Sequence, residues 1–417
     1  MFRNKVLERV FINIAFLLVL LFYFICSSAF CQHWIQKKYF GGTARYAAVG
    51  FSIGNKGYIS TGSDGNLKWG LWEYDPVSES WTQKAQFSGK QRILAVGFSI
   101  EGKGYIGTGY DGTKFRNDFW EYDPAGNSWT QKANFPGTER ATAVGFSIGS
   151  KGYVGTGIDE DSLRSDFWEY DPATDSWTSK ANFSGKARRY AVGFSIGSKG
   201  YIGTGNDSSV TTTVRKDFWE YNPTADTWTQ KQDFTGKARY VAVGFSIGSK
   251  GYIGTGWDGV LTGIYENDIW EYDPAADSWT QKENFGGTAR EHSVGFSIDT
   301  VGYIATGWCG DSLKKDFWAY NPIQVDTISN PTDVNSHLLM SDINIYPNPG
   351  NGVFTIDYPK GKIKTIAVYN ELGEKVNNPF TGLQSSVIIN ITFLPKEIYL
   401  LHIETDKGMM SRRVAIR

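Results

Sequence analysis

The segment RYAAVGFSIGNKGYISTG, residues 45–62, followed by WEYDPVSESWT, residues 72–82, decides the fold. Ala47, Val49, Phe51 and Ile53 alternate with Ala48, Gly50 and Ser52, the period of two that marks a strand with one face buried. Gly54-Asn55-Lys56-Gly57 has the chemistry of a tight turn, so a second strand follows at once through Tyr58 to Thr61-Gly62. Trp72-Glu73-Tyr74-Asp75 makes a third strand, and Asp75-Pro76 starts the turn into a fourth that carries Trp81.

This unit recurs along the chain. Val-Gly-Phe-Ser-Ile begins at Val49, Val96, Val144, Val192, Val243 and Val294, a spacing of 47 to 51 residues. Four residues before each Val stands an Arg: Arg45, Arg92, Arg140, Arg188, Arg239 and Arg290. A Gly-Tyr pair, a Thr-Gly pair and a Trp-centred third strand follow every copy. Units one to five end in a Trp-Thr strand, at Trp81, Trp129, Trp177, Trp228 and Trp279, but unit six stops at Asn321-Pro322. The missing strand stands at the other end of the repeats, where His33-Trp34-Ile35-Gln36-Lys37-Lys38 matches the fourth-strand pattern. Four strands per unit and six units predict an all-β, six-bladed β-propeller over residues 32–322, with an N-terminal strand removing the half-built edge of the last blade.

The Arg opening each unit, the second-strand Gly-Tyr, the third-strand Tyr-Asp-Pro and the fourth-strand Trp together resemble the kelch repeat, over about 290 residues. One departure is consistent: kelch repeats usually close the second strand with Gly-Gly, where this chain has Thr-Gly.

Both ends carry address signals. Arg3, Lys5 and Arg9 precede an apolar run from Val10 to Ile25 and then Ser27-Ser28-Ala29, the order of a secretory signal peptide, with cleavage expected after Cys31. The run is short for a spanning helix, so no transmembrane segment is expected in the mature chain. Cys309 would then be the sole cysteine, and packing rather than a disulfide must hold the fold. Residues 323–341 read as a linker. From residue 342 a second pattern begins, with Ile345-Tyr346-Pro347-Asn348-Pro349, Gly350, Gly352, Val368-Tyr369-Asn370-Glu371-Leu372-Gly373, Leu394-Pro395 and Ile398-Tyr399-Leu400, expected to form a small β-sandwich. These motifs resemble the type A sorting domain of the bacterial type IX secretion system. The resemblance implies passage through the periplasm, recognition by the type IX machinery at the outer membrane, and release or attachment at the surface. Glu397, where a Gly often stands, and the terminal Arg417 depart from that pattern.

The chemistry of catalysis is sparse. Four His are scattered, no Gly-rich loop opens a helix, and no nucleophile stands beside a base. Neither a metal site nor a cofactor is expected, and the loop Asp spacing matches no calcium loop. A net charge of -1 lacks the basic footprint of a nucleic-acid binder. A binding face is the better expectation. The loops after the second strands share one propeller face with the six Arg, and in blades four and five they are three residues longer, in 205–217 and 256–268. The candidate ligand-binding residues are Trp257, Trp308, Tyr265 and Tyr110 with Arg45, Arg92, Arg140, Arg188, Arg239 and Arg290; the Arg could instead pair with loop Asp of neighbouring blades. The residue after each Arg varies, as recognition positions on a repeated frame do. The expected role is an exported module for an extracellular glycan or protein. Two other readings stay open: a sugar-acid-modifying enzyme like the kelch sialic acid epimerases, and a structural or adhesive envelope protein.

Overall fold

The computed structural model describes residues 33–208, 213–259, 263–322, 343–359, 361–370, 375–406 and 408–417. The expected signal peptide and linker lie outside these residues, as do the tips of the two longer loops. The chain divides into two compact units, Met1–Val325 and Asp326–Arg417.

The first unit consists of six four-stranded antiparallel sheets, consistent with a propeller. In the first sheet Val49–Ile53, Lys56–Ser60, Trp72–Asp75 and Ser80–Gln83 pair in chain order, and the next four sheets repeat this. The sixth sheet takes Val294–Ile298, Val301–Ala305 and Phe317–Tyr320 from its own repeat and Trp34–Lys37 from the N-terminal side. Trp34 lies opposite Tyr320 and Lys37 opposite Phe317. Trp34 also fills the fourth-strand Trp position chemically. Its indole N–H donates to the Glu283 carbonyl, as Trp279 donates to Gln232 and Trp228 to Ala181.

The repeated Val-Gly-Phe-Ser-Ile has a packing cause. Val, Phe and Ile of each first strand are buried, and the intervening glycines are where the neighbouring sheet presses closest. A Cβ on Gly97 would stand 2.8 Å from the Cβ of Val49, and one on Gly104 would stand 2.5 Å from the Phe51 ring. No side chain fits there without moving an aromatic core. These contacts run from each sheet to the next, and from the sixth back to the first, where Gly50 faces Val294 and Gly57 faces Phe296.

The Thr-Gly pair has a backbone cause. Thr61, Thr108, Thr156, Thr204, Thr255 and Thr306 all lie at φ between 57° and 61°, in the left-handed region. That is the conformation glycine adopts freely, which accounts for glycine there in the family the repeats resemble. A β-branched residue is strained in it.

The second unit is all-β as well. One sheet holds Asn344–Tyr346, Val353–Asp357 and Ser386–Asn390; the other holds Lys375–Gln384, Ile363–Tyr369, Ile398–Thr405 and Gly408–Ala415. Both sheets contribute to one buried cluster around Phe354, Ile366, Val368, Leu401 and Ile403. Among the described residues no helix is long and apolar enough to cross a membrane.

Candidate functional site

All six Arg are buried, none more than 3% exposed. Five hold a carboxylate of their own sheet two-pronged: Arg92 with Asp118, Arg140 with Asp166, Arg188 with Asp217, Arg239 with Asp268 and Arg290 with Asp316. The Nη–Oδ distances are 2.5–2.8 Å. Each Arg also donates to the carbonyl of the Thr in Thr-Gly and stacks on a Phe five residues earlier, as Arg92 does on Thr108 and Phe87. The partner Asp precedes the third strand. The loop Asp is a different residue, and in three sheets it pairs with a later Arg: Asp111 with Arg116, Asp159 with Arg164, Asp207 with Arg215. The Arg side chains therefore brace single sheets rather than linking neighbours. It is the Arg main chain that crosses, its carbonyl accepting from the Gly of the preceding sheet, as in Gly109 N–H to Arg140 at 2.7 Å.

Two residues beyond each Arg lies a second ring. Ala47, Leu94, Thr142, Tyr190, Val241 and His292 all have φ between 52° and 60°. Their N–H groups bond head to tail: Leu94 to Ala47, Thr142 to Leu94, Tyr190 to Thr142, Val241 to Tyr190, His292 to Val241, and Ala47 to His292, at 3.0–3.3 Å. These residues line a cavity of about 160 Å³. Six non-glycine residues in the left-handed region store strain, and strain held by its surroundings concentrates at functional sites.

The mouth is lopsided. The residue after each Arg pairs with the residue after each Thr-Gly: Tyr46 with Ser63, Ile93 with Tyr110, Ala141 with Ile158, Arg189 with Asn206, Tyr240 with Trp257, Glu291 with Trp308. Sheets two and three thus present Ile93, Ala141 and Ile158 beside Tyr110, whereas sheets four to six present only charged, amide and aromatic groups. There the Tyr190 ring meets His292 at 5.4 Å and Tyr240 at 5.8 Å, Tyr240 meets Trp257 at 5.3 Å, and the Arg189 guanidinium lies 5.6 Å from the centre of the Tyr190 ring. Tyr265 pairs with Trp257 across the same hairpin. Of the candidates, Trp257, Tyr265 and Trp308 share this side, partly buried; Tyr110 lies on sheet two against Phe115.

Several polar atoms on this side are buried without a hydrogen-bond partner: Arg189 Nε, Trp257 Nε1, His292 Nδ1 and Ser293 Oγ. The Glu291 carboxylate stands 3.5 Å from His292 Nδ1. Burial pushes the Tyr240 hydroxyl up to about 12 and raises that of Tyr190, so both stay protonated donors. Among the described residues no group of three or more His, Cys, Asp or Glu is placed to hold a metal. Sequence reasoning singled out neither Tyr190 nor His292. The usable signal was the position two after each Arg, where six different residues interrupt an otherwise repeated segment.

Comparisons with known proteins bear on each unit. Residues 344–417 match the secretion system C-terminal sorting domain family. The chain is similar to the solved structure titled "Structure of YjhT", with a TM-score of 0.59 and 17% identity over 68% of this chain and 97% of that one, a likeness of fold. No curated protein matches. The sorting domain marks the protein as one exported through type IX secretion, to the surface or beyond.

Proposed function

We propose that this exported chain is a six-bladed, closed kelch-type propeller that binds the protruding end group of an extracellular glycan at the mouth beside sheets four to six. The observation that carries the reading is the pair of buried N–H donors without a hydrogen-bond partner among aromatic rings at that mouth, Arg189 Nε and Trp257 Nε1. A buried donor left unmade costs about 1–3 kcal/mol, so a ligand that supplies acceptors there recovers that energy on binding. The cavity of about 160 Å³ favours end-group over whole-ligand recognition. Pockets that engulf a small molecule run to roughly 300–1,000 Å³, so this one admits a ring substituent while the sugar face stacks outside on the aromatics.

Glycan-array binding tests the reading, with Trp257→Ala and Trp308→Ala as controls. Both should weaken binding by about tenfold or more, the value of one lost stacking contact, and lower the melting temperature little. Full melting loss with unchanged affinity would return both residues to the scaffold. Removal of residues 343–417 should leave the first unit folded and held in the periplasm. Normal amounts of the truncated chain in the medium or on the surface would contradict the role given to the tail.

A further inference from the structure

The first sheet breaks the Arg–Asp rule of the other five. Where they carry Asp118, Asp166, Asp217, Asp268 and Asp316 before the third strand, the first sheet has Gly70. Arg45 is nonetheless buried, at 3% exposure, and keeps the remaining contacts of its kind. Nη1 donates to the Thr61 carbonyl at 2.9 Å, Nε to the Thr43 carbonyl at 3.2 Å, Nη2 to Thr43 Oγ1 at 3.4 Å, and the group stacks on Phe40. One N–H on Nη1 and one on Nη2 remain, those that elsewhere hold Oδ1 and Oδ2. A third donor is released with them. In the other sheets the indole N–H of the third-strand Trp donates to the same carboxylate at 2.8–2.9 Å, and Trp72 has no such acceptor at Gly70. Asp64, the acid whose charge reaches Arg45, is bound by Lys68 at 2.7 Å. Burial pulls the Arg45 guanidinium down to about 10, and the charge of Asp64 offsets only part of this.

There is room for the absent group. A Cβ on Gly70 would meet only the Trp72 indole edge, at 3.3 Å and beyond. The equivalent Asp side chains are 16–28% exposed, so the position opens to solvent.

We infer that the notch at Gly70 is a binding site for a carboxylate on a slim stem, held two-pronged by Arg45 and capped by the Trp72 indole. The five intact sheets display the bound geometry with their own Asp in the ligand's place. An unpaired buried guanidinium gives the site its selectivity, because a planar two-oxygen anion matches its fork and a spherical one does not. The notch lies on the first sheet and the proposed glycan contacts on sheets four to six, so the two readings are tested apart.

Acetate is the minimal probe, with glucuronate as the arm that asks whether a sugar acid can carry the carboxylate. For the purified protein, acetate at a hundredfold excess over its Kd should raise the melting temperature by about 5 °C relative to chloride at equal ionic strength. Gly70→Asp should melt higher without acetate and no longer respond to it. Trp72→Phe, which keeps the ring and drops the donor, should weaken acetate about tenfold. Acetate acting no better than chloride, or acting equally on Gly70→Asp, would overturn the assignment. Glucuronate competing with acetate extends the site to sugar acids.

Discussion

Trp34→Ala lowers the stability of the repeat unit by roughly 3–5 kcal/mol, the cost of truncating a fully buried Trp. Its indole is 0% exposed, meets Phe285 edge-on at 5.0 Å and Tyr320 at 4.8 Å, and bonds to Glu283. Deleting residues 33–38 goes further. It strips the antiparallel partner from Phe317–Tyr320 and leaves that strand as an open edge with unpaired N–H and C=O groups. Whole domains are stable by only about 5–15 kcal/mol, so the deletion should yield an aggregating or unfolded product. Urea unfolding of the point variant and gel filtration of the deletion are the measurements. A Trp34→Ala protein with an unchanged midpoint would show that the sixth sheet does not depend on its borrowed strand.

Arg188→Ala is expected to cost about 3–5 kcal/mol, because it leaves the Asp217 carboxylate without its counter-charge. Burial would raise the Asp217 carboxyl, but the hydrogen bonds and charge of Arg188 outweigh it and hold the group below its ordinary 3.8. A depressed carboxyl contributes stability above its unfolded value, near pH 4, and that contribution fades as pH falls toward the folded value. The wild type should therefore lose stability steeply below about pH 4, and Arg188→Ala should show a shallower acid limb. The double change Arg188→Met with Asp217→Asn removes both charges and should recover part of the loss. Arg45→Met supplies an internal contrast. It orphans no sheet carboxylate, so its cost should be clearly smaller than that of Arg188→Met. Equal costs at both positions, read by thermal melting across pH, would refute the charge-pairing account.

The repeat was legible because its causes are local or periodic. Period-two burial, turn residues at fixed offsets and a Trp-bearing fourth strand are written into each unit, and the odd strand count of unit six pointed to the segment at Trp34. The sorting motifs were legible for the same reason, as four short patterns in order near Arg417. The partners of the buried Arg were not. Asp64-type and Asp118-type residues both recur once per unit, and composition cannot say which carboxylate lies within reach of a guanidinium about 26 residues back. The folded sheet settles that choice: the residue before the third strand pairs with the Arg, and the loop Asp pairs with a later Arg, as Asp118 does with Arg92 and Asp111 with Arg116. The inner ring at Ala47, Leu94, Thr142, Tyr190, Val241 and His292 was hidden more deeply, since its meaning lies in a left-handed backbone and in hydrogen bonds between units roughly 50 residues apart. The sequence by itself determined the repeated sheet and the export address, both set by nearest-neighbour chemistry. Only the tertiary structure decided which side of the mouth is polar, because those groups meet only when the sheets pack, and that Arg45 alone lacks a sheet carboxylate, because that depends on which Asp each sheet folds against its Arg.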